Sequence, residues 1–211
     1  CNPVSLAEAK RLFDSVARGT KDIKNSEVVI CPPFIYLATL GASVPPQRDY
    51  GGLRFGSQDC FWEKMGAYTG EISPSMLKNM GVEYVILGHS ERRINLNETD
   101  EMINKKIEGA LAAGLKPILC VDSVAQARGV DKKIILAFEP ISAIGTEKPF
   151  DIQKAKKMRE SLVQFKTVLY GGSVNSKNAK DYIKEAGFQG LLVGKASLDA
   201  KEFISIIESV I

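Results

Sequence analysis

Only one histidine, His89, occurs in the 211 residues, so a multi-histidine metal site is excluded. Cysteine is nearly as sparse. The four present, Cys1, Cys31, Cys60 and Cys120, lie far apart and none forms a CxxC pair. Cys31 and Cys120 end apolar runs, the usual place of a buried free thiol, so a reducing compartment, the cytoplasm, is expected. No apolar stretch approaches the roughly 20 residues of a membrane span, and no secretory pattern precedes Ser5. Neither sign of charge dominates. A formal net charge of +3 is too small to imply nucleic acid, yet it suits a site that attracts a small anion. Low-complexity linkers are missing too, and no repeat is evident beyond an alternation of strand-like and helix-like segments.

What remains is a sequence with 45% hydrophobic and 25% charged residues, the balance of a soluble globular protein. Its length suits one sizeable core, and a single domain over 1–211 is expected. Short β-branched runs at 27–31, 53–59, 84–87, 117–121, 134–138, 167–170 and 190–193 read as strands. Most are apolar on both faces, as parallel strands covered on each side require. Helical periodicity fills 5–17, 99–113, 151–163, 176–186 and 199–210. Ser5 with Glu8 forms a capping box, Thr99 is a helix cap, and Gly114 and Gly187 end helices. Alternating units imply a parallel α/β sheet with right-handed crossovers. Small or reactive residues follow nearly every strand (CPP, QDC, GHSER, EP, GGS, GK). Function spread over many strand ends favours a barrel over an open sheet with one switch point.

Four strand ends carry chemistry. His89, in Gly88-His89-Ser90-Glu91-Arg92, can donate a hydrogen bond to a substrate carbonyl or shuttle a proton between adjacent oxygens; a lone histidine satisfied in a loop is the bland alternative. Glu139 ends an apolar strand near low-dielectric walls, a setting that suits a general base; a strand-end ion pair is its alternative. Ala143-Ile144-Gly145-Thr146 suits a loop that closes over a ligand, or an ordinary connection. Gly171-Gly172-Ser173 and Gly194-Lys195 follow two consecutive strands. Their backbone N–H groups can cradle a phosphate dianion, a recurrent feature of the last barrel loops.

Taken in order, VEYVILGHSERR, AFEPISAIGT, LYGGSVNSKNA and GLLVGKASLDAKEF, with VVICPPFIYL and GSQDCFWEKMGAYTGEISP, resemble the triosephosphate isomerase family over nearly the whole sequence. The resemblance implies a TIM (β/α)8 barrel and an aldose–ketose isomerase of glycolysis and gluconeogenesis. It would interconvert dihydroxyacetone phosphate and D-glyceraldehyde 3-phosphate through an enediolate. It implies that Glu139 removes the α-carbon proton, that His89 polarises the carbonyl, and that Glu91 is the polar partner within GHSER. It further implies that Gly145, Ser173, Gly194 and Lys195 hold the phosphate, with no metal or organic cofactor. Residues 141–148 match a closing lid, in which Ser142 stands where tryptophan is common. Residues 61–71, from Phe61 to Glu71, resemble a loop that reaches into a neighbouring subunit, and Trp62 and Tyr68 there favour an interface. A homodimer is expected, with no nucleic-acid or membrane partner.

The sequence also departs from the family pattern. Lys195 replaces a usual glycine, where any positive φ would cost energy. The first strand, with its Asn-x-Lys motif, has no counterpart before Cys1-Asn2-Pro3. That leaves seven strands and two unpaired edges. Part of the helix after the fifth family strand is missing between Val121 and Ile134, where residues 122–130 barely allow a crossover. The junction 163–166 is nearly loopless. Losing a barrel strand and a catalytic lysine should ruin fold and rate, so the sequence is expected to omit pieces of a longer chain. Two other functions compete: a non-catalytic phosphate-binding barrel, which would have no need of Glu139, and a phosphosugar aldolase or epimerase. An aldolase would want a Schiff-base lysine, and Lys195 sits behind the phosphate-type turn.

Overall fold

A computed structural model describes residues 2–42, 53–140 and 149–211. Seven strands occur among them, every observed pairing is parallel, and the strand order follows the sequence. The chain divides into two compact units, Cys1–Leu87 with Glu98–Pro117 and Gly88–Asn97 with Ile118–Ile211.

The first unit opens with α1 (Leu6–Thr20), where Ser5 accepts a hydrogen bond from the Glu8 N–H at 3.2 Å. One face of α1 buries Ala9, Phe13, Val16 and Ala17, the i, i+4, i+7, i+8 spacing of a single helical stripe. Phe13 stacks on Phe55 with ring centroids 5.5 Å apart. Phe55 belongs to β2 (Arg54–Ser57), which lies between β1 (Val29–Ile30) and β3 (Tyr84–Leu87). Helices α2 (Phe34–Ala42) and α3 (Pro74–Asn79) follow β1 and β2. Neither is among the sequence expectations, although Ser73 before Pro74 is a cap-then-proline start, and Ser73 does accept from the Met76 N–H at 3.2 Å. Helix α5 (Asp100–Ala112) matches its expected span closely, with Thr99 as cap.

Two features of α5 bear on the segment after β2. Lys106 is buried and donates to both carboxylate oxygens of Asp59, at 2.9 and 2.8 Å, and to Glu98. A cation enclosed at this depth is tolerated because its donors are matched. Gly109 faces the backbone of Trp62. A Cβ at position 109 would stand 2.5 Å from the Trp62 carbonyl oxygen, so only glycine allows the loop and helix to touch. Free thiols occur at Cys31, Cys60 and Cys120; Cys120 is buried as expected, whereas Cys31 is half-buried, and Cys1 lies outside the described residues. Burial pushes the Cys31 thiol up to about 12, which makes it a poor nucleophile at neutral pH.

The second unit holds α4 (Ser90–Asn95), most of β4 (Lys116–Val121), β5 (Ile135–Phe138), α6 (Ile152–Ser161), β6 (Val168–Tyr170), α7 (Ala179–Lys184), β7 (Gly190–Leu191) and α8 (Ala200–Val210). Phe138, Tyr170 and Phe188 form its aromatic centre, with ring centroids 5.5 to 6.4 Å apart. Between Val121 and Ile135 the connection is a single 3-10 turn, Val124–Ala127, in keeping with the short crossover read from the sequence. Strands β1 and β7 have two residues each, against the five and four expected at 27–31 and 190–193. Each has one paired neighbour among the described residues, so half of the usual ladder is unavailable to extend it. Helix α7 is also shorter than 176–186, because Asn175 and Asn178 fold residues 175–178 into a side-chain-bonded turn.

Lys106→Met should lower unfolding stability by about 3–5 kcal/mol, since it leaves two buried carboxylates without their cation. Urea denaturation would measure it, and a loss under about 1 kcal/mol, the range of an exposed pair, would show that the cluster is not a buried charge centre.

Candidate functional site

Glu139 follows β5, and its N–H still donates to the Val121 carbonyl at 2.8 Å. The ladder thus runs one residue past the strand and fixes the direction of the side chain. That side chain is 3% exposed. One carboxylate oxygen accepts from the Ser90 N–H at 3.0 Å, and the other lies 3.1 Å from His89 Nε2. A buried carboxylate is tenable only with such donors.

The donors come from the start of α4. The first N–H groups of a helix have no partner inside it. Here Ser90 N–H is satisfied by Glu139, and Glu91 N–H donates to His89 Nδ1 at 3.3 Å. His89 therefore caps its own helix with one nitrogen and meets the carboxylate with the other. Because Nδ1 accepts, the ring proton stands on Nε2, which is the tautomer able to donate into the site. Arg93 steadies the turn: its Nε donates to the Gly88 carbonyl at 2.7 Å. The Ser90 hydroxyl is buried and finds no hydrogen-bond partner among the described residues.

A neighbouring strand end makes room for the carboxylate. Gly171 N–H donates to the Phe138 carbonyl at 2.8 Å, which places residue 171 beside Glu139. A Cβ there would come within 3.0 Å of Glu139 Cγ. The first glycine of Gly171-Gly172-Ser173 thus serves close approach. Ser173 is partly buried, and its carbonyl accepts from Asn178 Nδ2 at 3.1 Å. Gly194 begins the 3-10 turn Lys195–Leu198 and accepts from Ser197 N–H at 2.9 Å. Among the described residues Asn97 is the one non-glycine residue with positive φ. Lys195 therefore does not carry the backbone penalty anticipated for a lysine at a glycine position.

His89 and Glu139, two of the expected catalytic residues, are in direct contact. Glu91 enters through its backbone; its carboxylate is 3.9 Å from Nδ1 and 73% exposed. Ser173 and Gly194 follow β6 and β7, which pair with one another, and β6 in turn pairs with β5. Gly145, Ser142 and the lid expected at 141–148 lie outside the described residues. The sequence reading missed Ser90 as an amide donor to the carboxylate, although it stands inside GHSER.

Isotope-edited proton–nitrogen spectra of the His89 ring should show protonated Nε2 and bare Nδ1. The reverse tautomer would contradict both hydrogen bonds. Gly171→Ala should perturb the Nε2 signal by crowding Glu139, with the helix-capping Nδ1 much less affected.

The family model described as "Triosephosphate isomerase" matches residues 2–210. Similar curated proteins bear the same description. The one from Thermoanaerobacter sp. (strain X514) is 37% identical, with 95% of this chain and 93% of the relative covered. The one from Aquifex aeolicus (strain VF5) is 38% identical, with 97% and 94% covered. The one from Alkaliphilus oremlandii (strain OhILAs) is 40% identical, with 86% and 85% covered. The alignment to the Thermoanaerobacter protein runs over 235 residues, more than the 211 of this chain, so the relative has positions with no counterpart here.

Proposed function

The chain belongs to the triosephosphate isomerase family, and from that premise we propose that it interconverts dihydroxyacetone phosphate and D-glyceraldehyde 3-phosphate through an enediolate. It is accordingly an intramolecular aldose–ketose isomerase on a TIM-barrel scaffold, acting as a single domain in glycolysis and gluconeogenesis. The observation that carries the reading is the buried Glu139 carboxylate set 3.1 Å from Nε2 of His89.

The roles follow from what each group can do. Glu139 takes the proton from the substrate carbon next to the carbonyl, and His89 donates its Nε2 proton toward the carbonyl oxygen as negative charge develops there. The imidazole recovers a proton from the neighbouring hydroxyl, and Glu139 returns its proton to the adjacent carbon. Net, one hydrogen moves between two carbons and another between their oxygens, and no redox partner is needed. The two groups bond to one another before substrate arrives, so the carbonyl oxygen must replace Glu139 as the acceptor for Nε2–H. Glu139 is then released toward the carbon while Ser90 N–H remains as its tether. Glu91 supports the step by holding Nδ1.

Ser173, Gly194 and Lys195 grip the phosphate in this proposal, joined by Gly145. A three-carbon substrate offers few contacts, so its dianion must supply much of the binding energy. A competing reading as a passive phosphate-binding barrel gains nothing from the enclosed carboxylate and its donors.

The expected partner is a second copy of the chain, through residues 61–71. Phe61, Trp62 and Tyr68 cluster there with ring centroids 4.0 and 4.8 Å apart, and Met65 is 82% exposed. Among the described residues no helix is long and apolar enough to cross a membrane, and the proposed location is the cytoplasm.

Glu139→Gln should lower kcat at least about 100-fold in a coupled assay with glyceraldehyde 3-phosphate, the range for loss of a general base; equal rates would remove Glu139 from the mechanism. Light scattering at micromolar concentration should report a dimer, and monomer alone would refute the assembly.

A further inference from the structure

The turn after β6 is held by the side chains of Asn175, Asn178 and Glu202. Asn178 uses both ends of its amide: Nδ2 donates to the Ser173 carbonyl at 3.1 Å, and Oδ1 accepts from the Asn175 N–H at 2.9 Å. Asn175 answers with its own side chain, accepting from Lys177 N–H at 2.9 Å and Asn178 N–H at 3.2 Å. Residues 173–178 are thereby closed into one hydrogen-bonded unit. Glu202, in the first turn of α8, accepts from Ser176 N–H at 2.7 Å and from the Ser176 hydroxyl at 3.2 Å.

The position of Glu202 in the chain matters as much as its bonds. The cap of α8 is Asp199, which ends the 3-10 turn Lys195–Leu198 that starts at Gly194. One carboxylate thus ties the turn after β6 to the element that issues from the turn after β7. Amides from two strands can hold one dianion only if their separation is fixed beforehand, because adjustment at binding would consume the interaction energy.

We propose that Asn178 and Glu202 are positioning residues that set the phosphate affinity of the isomerase, Asn178 by pinning the backbone of Ser173 and Glu202 by fixing that turn against the Gly194 turn. The proposal rests on the reading of Ser173 and Gly194 as phosphate-holding residues. It predicts that loss of either side chain weakens whatever carries a phosphate and spares whatever lacks one.

The test compares wild type with Asn178→Ala, Asn178→Asp and Glu202→Ala. Asn178→Asp keeps the acceptor for Asn175 N–H and loses the donor to Ser173, so it reports on the Ser173 contact even if the alanine variant folds poorly. Expected are rises of about five- to tenfold in KM for glyceraldehyde 3-phosphate and in Ki for inorganic phosphate, the size of one lost hydrogen bond. In each variant kcat should stay within about twofold, and kcat/KM for phosphate-free glyceraldehyde should not change, since the groups acting on the carbons are untouched. An unchanged Ki, or an equal loss for both substrates, would overturn the proposal, the latter marking a merely structural role. A separate titration of wild type with inorganic phosphate, followed at the Ser173 amide signal, tests the underlying reading. No shift there overturns that reading, whereas a shift combined with unchanged Ki in the variants overturns the positioning role alone.

Discussion

A carboxylate enclosed by protein survives as an anion only where hydrogen-bond donors meet it, and around Glu139 that requirement organises everything else. Its two oxygens are met by Ser90 N–H and His89 Nε2, the first residue and the N-cap of a six-residue helix. The same helix start needs acceptors for its unpaired N–H groups. The acid and the helix each satisfy the other's deficit, so the pair proposed to act on substrate is also a structural joint. This is economical for a small site. It also means that neither group can be altered without disturbing the capping of α4.

The arrangement explains why the ends of strands carry the chemistry. A strand such as β5 is buried and held by neighbours on both sides, so its direction is rigid. A residue just beyond it that keeps a ladder hydrogen bond inherits that rigidity. Glu139 shows this directly, since its backbone is still bonded to Val121. Gly171, beside it, contributes by having no side chain at all. Functional precision comes from a stiff scaffold with one vacant position next to one charged one.

Much of this was legible in the sequence. The β5 run 134–138 followed by Glu139, the GHSER segment and the two glycine turns mark the strand, the carboxylate, the imidazole and the turns that the structure sets at consecutive strand ends. Long helices with caps, such as α1 and α5, were readable because apolar spacing and a Ser or Thr start agree. Short helices were not. Helix α4 has six residues, too few to show a period, and its start is capped by a histidine and by a carboxylate 49 residues away in the chain. No local pattern encodes such a contact. The roles of Asn178 and Glu202 were hidden for the same reason, as both act on backbone groups that composition cannot reveal. Lys195 is the opposite case. The lysine in place of a glycine suggested strain, but the backbone at the Gly194 turn never enters the left-handed region.

The notch at Gly109 has a consequence for assembly. The backbone of residue 62 rests in a gap on α5 that any side chain would fill, and Lys106, one turn earlier on that helix, binds Asp59 just upstream of the same segment. The aromatic loop therefore cannot shift as an independent appendage. Local opening of α5 would release it, and tightening of α5 would brace it. In the proposed dimer, association through residues 61–71 would then be thermodynamically coupled to the local melting of α5, and a subunit would meet its twin with that helix already set.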